Sequence, residues 1–168
     1  MSFYLLTDNY LIAIICIINF GDGDEYMFKM TKLIYDELGA RDSNLGMFIE
    51  DDVRSSQVWI PFNTADGVRH HIHFINRNDD NDTAVRVYGI VNIEEDRFSR
   101  MLPALNYLNG KFRFVKFHCD DYGDINLYYD FLFDSIHPEK CAMEILVRIE
   151  SIIEEAYPIL MRAAGNSF

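Results

Sequence analysis

The sequence predicts an α+β domain, an antiparallel sheet of five to six strands with helices packed on it, in the order α-β-β-β(-β)-α-β-β-α. Three observations predict it. Separate stretches repeat apolar residues every three or four positions, the period of amphipathic helices. Between them lie runs that alternate apolar and polar residues, the two-residue period of half-buried strands. Finally, 168 residues with 49% apolar and 25% charged side chains suit one soluble globular domain with its own core.

The first helix is expected from about Asp24 to Leu38, where Met27, Met30, Ile34 and Leu38 share a face. Asp24 and Glu25 suit the positive end of a helix, and Gly39 is placed to stop it. A short strand is expected at Met47 to Glu50. Val58 to Phe62 reads as the next, and Pro61, which has no N–H to donate, marks a strand end or a sheet edge. The turn residues Asn63 to Gly67 lead into Val68 to Ile75. There Val68, His70, Ile72 and Phe74 share one face, and Arg69, His71, His73 and Ile75 share the other. After the polar loop Asn76 to Asp82, Ala84 to Ile93 alternates with Val85, Val87, Val91 and Ile93 on one face, completing an antiparallel meander.

A second helix is expected from about Glu94, with Phe98, Met101, Leu102, Leu105 and Leu108 as its stripe. Pro103 inside that stripe predicts a kink or a restart. A hairpin follows, with Phe112 to Cys119 and Ile125 to Phe133 joined by Asp120-Asp121-Tyr122-Gly123-Asp124. Its second strand alternates cleanly, Ile125, Leu127, Tyr129, Phe131 and Phe133 against Asn126, Tyr128 and Asp130. Its first does not, because Phe112 and Phe114 oppose Val115, Phe117 and Cys119, so either a bulge or two covered faces is expected. Pro138 is placed to open the last helix, whose stripe runs from Ala142 through Ile145, Leu146, Ile149, Ile152, Ile153 and Ala156 to a close at Tyr157-Pro158. The domain is therefore set at residues 24–164, with 1–23 as an apolar extension.

Within that extension, Tyr10 to Phe20 is apolar except for Asn19 but about half the length needed to cross a bilayer. No Lys or Arg precedes Lys29, as a signal peptide would require. The segment reads as an appendage packed on the domain or on a partner chain. A reading-frame extension ahead of Met27 or Met30 is the alternative.

Charge and cysteine usage exclude several classes. A net charge of −12 repels phosphate backbones and anionic headgroups, so neither nucleic acid nor a polybasic membrane contact is expected. Cys16, Cys119 and Cys141 have no metal-ligand spacing and read as reduced thiols, two of them in or near the core, which favours the cytoplasm.

The chemistry-bearing patterns are sparse. His71 and His73 fall on one strand face, close enough to share a metal ion, but no spacing fixes the third ligand that a zinc site needs. A solvated sheet face is the plainer reading of the pair. The acids Asp79-Asp80-Asn81-Asp82 and Asp120-Asp121 with Asp124 lack the spacing of a calcium loop and read as turn residues. Asp130 and Asp134 are the acids nearest apolar neighbours, yet they sit where surface residues belong. Phosphate-loop, nucleophile-elbow and HExxH patterns are absent from the sequence. No catalytic residue, metal ligand or cofactor is assigned.

From Leu105 onward the chain resembles the YbjN-domain family of bacterial proteins. The resemblance rests on Asn106-Tyr107-Leu108-Asn109, on the hairpin pattern in Phe114-Val115-Lys116-Phe117, Asp120 or Asp121, Gly123-Asp124, Leu127 and Tyr129-Asp130, and on Tyr157-Pro158. It covers about Asp24 to Leu160, with specific motifs in the second half only. It implies a type III secretion chaperone-like fold that dimerises and holds a partner polypeptide, a regulatory role linked to sensory transduction, and no catalytic residues. The apolar stretch before Met27 and Pro103 depart from the family pattern. The function expected is a non-catalytic, cytoplasmic protein-binding or regulatory module whose partner is a second copy or another protein. The alternative is a metal-binding protein or enzyme centred on His71 and His73.

Overall fold

The computed structural model describes residues 27–79, 82–132 and 138–165. Six strands form one antiparallel sheet: β1 (Phe48–Asp52), β2 (Ser55–Asn63), β3 (Arg69–Asn76), β4 (Asp82–Asn92), β5 (Lys116–Cys119) and β6 (Asp124–Leu132), ordered β1-β2-β3-β4-β6-β5 across the sheet. Three helices are described, α1 (Lys29–Arg41), α2 (Phe98–Lys111) and α3 (Ala142–Ala163). This is the α+β architecture expected from the periodicities.

One apolar cluster joins all three helices to one face of the sheet. Ile34 and Leu38 of α1, Met101 and Leu108 of α2, and Ile149 and Ile153 of α3 meet Val58, Ile60, Ile72, Phe74, Val85, Val87, Ile125 and Leu127. Most of these side chains are at or near zero exposure, and α3 crosses the layer because its stripe lasts for its whole length. The outward alternates on the same strands, among them Trp59, His71, His73, Tyr88 and Tyr128, take no part in that cluster.

A buried polar network ties α1 to the sheet. The Ser56 hydroxyl donates to Thr31 Oγ1 at 2.5 Å, and Thr31 Oγ1 in turn lies 3.1 Å from Asn76 Oδ1. Asn76 Nδ2 donates to the Asp82 carbonyl at 2.9 Å and to Thr83 Oγ1 at 2.7 Å, which closes the β3–β4 turn. The N-terminus of α1 is capped from 50 residues away, by Asp79 Oδ1 accepting from the Lys29 N–H.

Several element ends differ from the sequence reading. α1 begins at Lys29, so Asp24 and Glu25 lie outside the described residues. Gly39 is inside this helix, which ends instead where the Asp42 side chain and carbonyl take the Asn44 and Leu45 N–H groups. Pro61 lies within β2, but the last β1 pair is Phe48 with Trp59, so the strand is locally an edge there and tolerates a missing donor. α2 runs through Pro103 to Lys111 after a 3-10 turn at Glu95–Arg97. α3 likewise passes through Pro158. Leu160 beyond it is fully buried, and that packing outweighs the one missing backbone bond. Pro138 opens a 3-10 turn ahead of α3 rather than the helix itself.

The mixed faces of Phe112–Cys119 have a simple cause: only Lys116–Cys119 is strand. The Asn109 side chain takes the place of a neighbouring strand, its Oδ1 accepting from the Phe117 N–H at 2.7 Å and its Nδ2 donating to the Phe117 carbonyl at 3.1 Å. β4 carries the irregularity instead. Val87 pairs with Leu127 but Val91 with Ile125, so two extra residues are accommodated around Gly89, whose φ is 59°. Asn126 Oδ1 accepts from the Gly89 N–H at 2.8 Å and satisfies the bulge. Val68 lies outside β3 and is partly exposed, while His70, Ile72 and Phe74 face the core as expected. Cys119 is partly buried against the core, whereas Cys141 is exposed, and both are free thiols. Cys16, the segment 10–20 and Asp134 lie outside the described residues. Among those described, no helix is long and apolar enough to cross a membrane.

Candidate functional site

The outward face of the sheet gathers the chemistry-bearing side chains into a row. β1 supplies Phe48, whose ring stacks on Trp59 of β2 at 4.1 Å and 12° between planes. Trp59 meets His71 at 4.8 Å and His73 at 6.2 Å between ring centroids, both on β3. His73 then meets Tyr88 of β4 at 5.4 Å, edge to face. Farther along, the Arg86 guanidinium lies 4.5 Å from the centroid of the Tyr128 ring, and Tyr128 stacks on His118 of β5 at 5.6 Å. The row therefore runs across all six strands. Register explains it, because Trp59 pairs with His73, His73 with Arg86, Arg86 with Tyr128, and Tyr128 with Lys116, so alternate residues line up on one face.

Two of the polar rings on this face have their charge suppressed. Burial against its neighbours pushes His73 down to about 4, and the adjacent His71 adds to the effect. His71 is also lowered, by burial first and then by Arg69. Both imidazoles are uncharged at neutral pH, so they present π faces and single hydrogen-bonding edges. Gln57 Oε1 lies 3.1 Å from His73 Nδ1 and orients that ring. Arg86 is neutralised by Asp130 at 2.5 Å. Phe48 is 41% and Tyr88 49% exposed, large values for aromatic rings. A partly exposed aromatic surface of this kind takes another surface by stacking and apolar contact.

His71 and His73 share a face, as the alternation predicts, with ring centroids 6.3 Å apart. Among the described residues no group of three or more His, Cys, Asp or Glu side chains converges to hold a metal ion. His70 lies on the core side between Phe62 and Tyr157, at 5.5 Å from each ring, and its Nε2 is buried with no hydrogen-bond partner among the described residues. The acid clusters serve the backbone. Asp79 caps α1, while Asp120 Oδ1 accepts from the Tyr122 and Asp124 N–H groups and its Oδ2 accepts from Asn126 Nδ2. Asp130 holds Arg86 and is a surface residue.

Sequence reasoning placed Tyr128, His71 and His73 on the outward face but missed Phe48, Trp59 and Tyr88 as their companions. The available signal was the alternation of Trp59 between buried Val58 and Ile60. Phe48 sits in a short acidic strand without a pattern, and the bulge beside Tyr88 hides its register. The sequence matches no protein-family profile, no curated protein and no solved structure.

Proposed function

We propose that this chain is a non-catalytic protein-binding or regulatory module of a bacterium, chaperone-like and dimeric, that works through the outward face of its sheet. The single observation that carries the reading is the aromatic and histidine row across six strands, opposite the face that packs the core. The resemblance to YbjN-domain proteins from Leu105 to Pro158 points the same way, since the implied role is to hold a polypeptide. Free thiols at Cys119 and Cys141 are in keeping with a cytoplasmic location.

The occupant of the face in this reading is a second copy of the chain. Trp59 is the sole tryptophan and lies within the row, so its emission reports coverage directly. Concentrating the protein from nanomolar to tens of micromolar is expected to shift that emission to the blue as water leaves the ring. An emission spectrum constant over that range, at a constant monomer mass, contradicts the reading.

A further inference from the structure

Away from the outward face, a hollow of about 260 Å³ opens between the α2–β5 connection, β6 and α3. Its walls are apolar, formed by Phe112, Val115, Tyr129, Ile145, Ile149 and Ile152. Ile145, Ile149 and Ile152 of the α3 stripe are 7%, 1% and 8% exposed and form its floor. Among the described residues three cations also line it, Lys111, Arg113 and Arg148, and no carboxylate does. That runs against the composition, because the chain has 27 acids to 15 Lys and Arg. Lys111 pairs with Glu155 and Arg148 with Glu144, but both acids are more than half exposed, so these pairs exchange at little cost. The Arg113 guanidinium stands 5.8 Å from the ring of Phe114, which is 64% exposed at the rim. A wider hollow continues along α3 past the shared Arg148 and Ile152, where Arg41, Lys140 and the carboxylate of Glu144 line it.

We propose that this hollow binds a small amphiphilic carboxylate, its aliphatic chain among the isoleucines and its carboxylate at the Arg113, Arg148 and Lys111 heads. The volume sets the length. At ~30 Å³ for each methylene-sized group, it holds roughly eight carbons. Apolar walls supply the affinity and the cations its selectivity for an anion, the division of labour expected of a small-molecule site. This site is on the opposite side of the sheet from the aromatic row and does not depend on the dimer reading.

The test is calorimetric titration of the intact chain with octanoate, hexanoate and octanol. Octanoate is expected to bind saturably at one site. Hexanoate, two methylenes shorter, is expected to bind roughly tenfold more weakly. Octanol, with the same chain and no charge, is expected to lose about tenfold as well. Arg113→Glu combined with Arg148→Glu changes two surface-accessible rim residues. It is expected to weaken octanoate at least tenfold and leave octanol unchanged, with circular dichroism confirming the fold. Octanol binding as tightly as octanoate, octanoate binding unaffected by the two substitutions, or no saturable octanoate binding at millimolar concentration overturns the proposal.

Discussion

The two faces of one sheet, built from alternate residues of the same strands, differ in nearly everything except register. On the helix side Ile60, Ile72, Phe74, Val85, Val87 and Leu127 are almost wholly excluded from water. On the outward side their immediate neighbours are Trp59, Pro61, His71, His73, Arg86, Tyr88 and Tyr128; Trp59 meets both histidines, His73 meets Tyr88, and Arg86 lies over Tyr128, all of them partly wet. The inward face is fixed by volume, since α1, α2 and α3 leave it no freedom. The outward face carries large rings with polar edges that the core does not need. Side chains that folding does not require are where a binding role is to be sought.

The contrast is broken most forcefully from the inside. Phe74→Ala is expected to cost about 3–5 kcal/mol in urea denaturation, because a fully buried ring is removed from a packed layer. Its outward neighbour change, His71→Ala, is expected to stay within ~0.5 kcal/mol, since that imidazole is exposed. Equal costs at the two positions remove the distinction between the faces. Next in size is Asn76→Ala. It leaves Thr83, Thr31 and the Asp82 carbonyl short of partners and is expected to cost about 2–3 kcal/mol, again by urea denaturation.

Gly123→Ala follows, at about 2 kcal/mol or more. The glycine has φ 83°, and an added Cβ meets the Ile93 carbonyl oxygen at 2.2 Å. Glycine to alanine elsewhere on the surface, at Gly46 for instance, meets nothing within 4 Å and is expected to be silent by the same assay.

A smaller effect sharpens the outward face by pH. His73 titrates near 4 in the folded chain against 6.5 when unfolded, so the unfolded chain binds the proton first. Its stabilising contribution is complete above pH 6.5 and is lost as pH falls through about 4. With solvent screening at a half-buried ring, the loss is on the order of 1–2 kcal/mol. His70 and His71 are lowered too and contribute in the same direction. His73→Phe keeps the ring and removes the proton, so its stability is expected to fall less than the parent's between pH 6.5 and 4.

The inward face was legible in the sequence because burial enforces a period. Ile72 and Phe74, Val85 and Val87, and Ile125 and Leu127 each repeat at two residues, and the α3 stripe repeats at three and four. Helix ends were less legible. Gly39 and Pro158 carry local stop signals, but the Asp42 turn and the burial of Leu160 decide where those helices finish. Contacts between distant residues were not legible at all. Asn109 bonding the Phe117 backbone, Asn126 holding the Gly89 bulge and Asp79 capping α1 each join residues that no local pattern connects. The candidate face was half visible, through His71, His73 and Tyr128. Trp59 and the end of the row at Phe48 emerge only once strand register is known.

The central claim is that the outward face is the working surface and that a second copy covers it. Sedimentation velocity on the intact chain and on Trp59→Ala, over a hundredfold range of concentration, tests it most directly. The account predicts a reversible dimer for the intact chain and a monomer for Trp59→Ala with unchanged circular dichroism. A strict monomer in both, or a dimer that Trp59→Ala leaves intact, contradicts it.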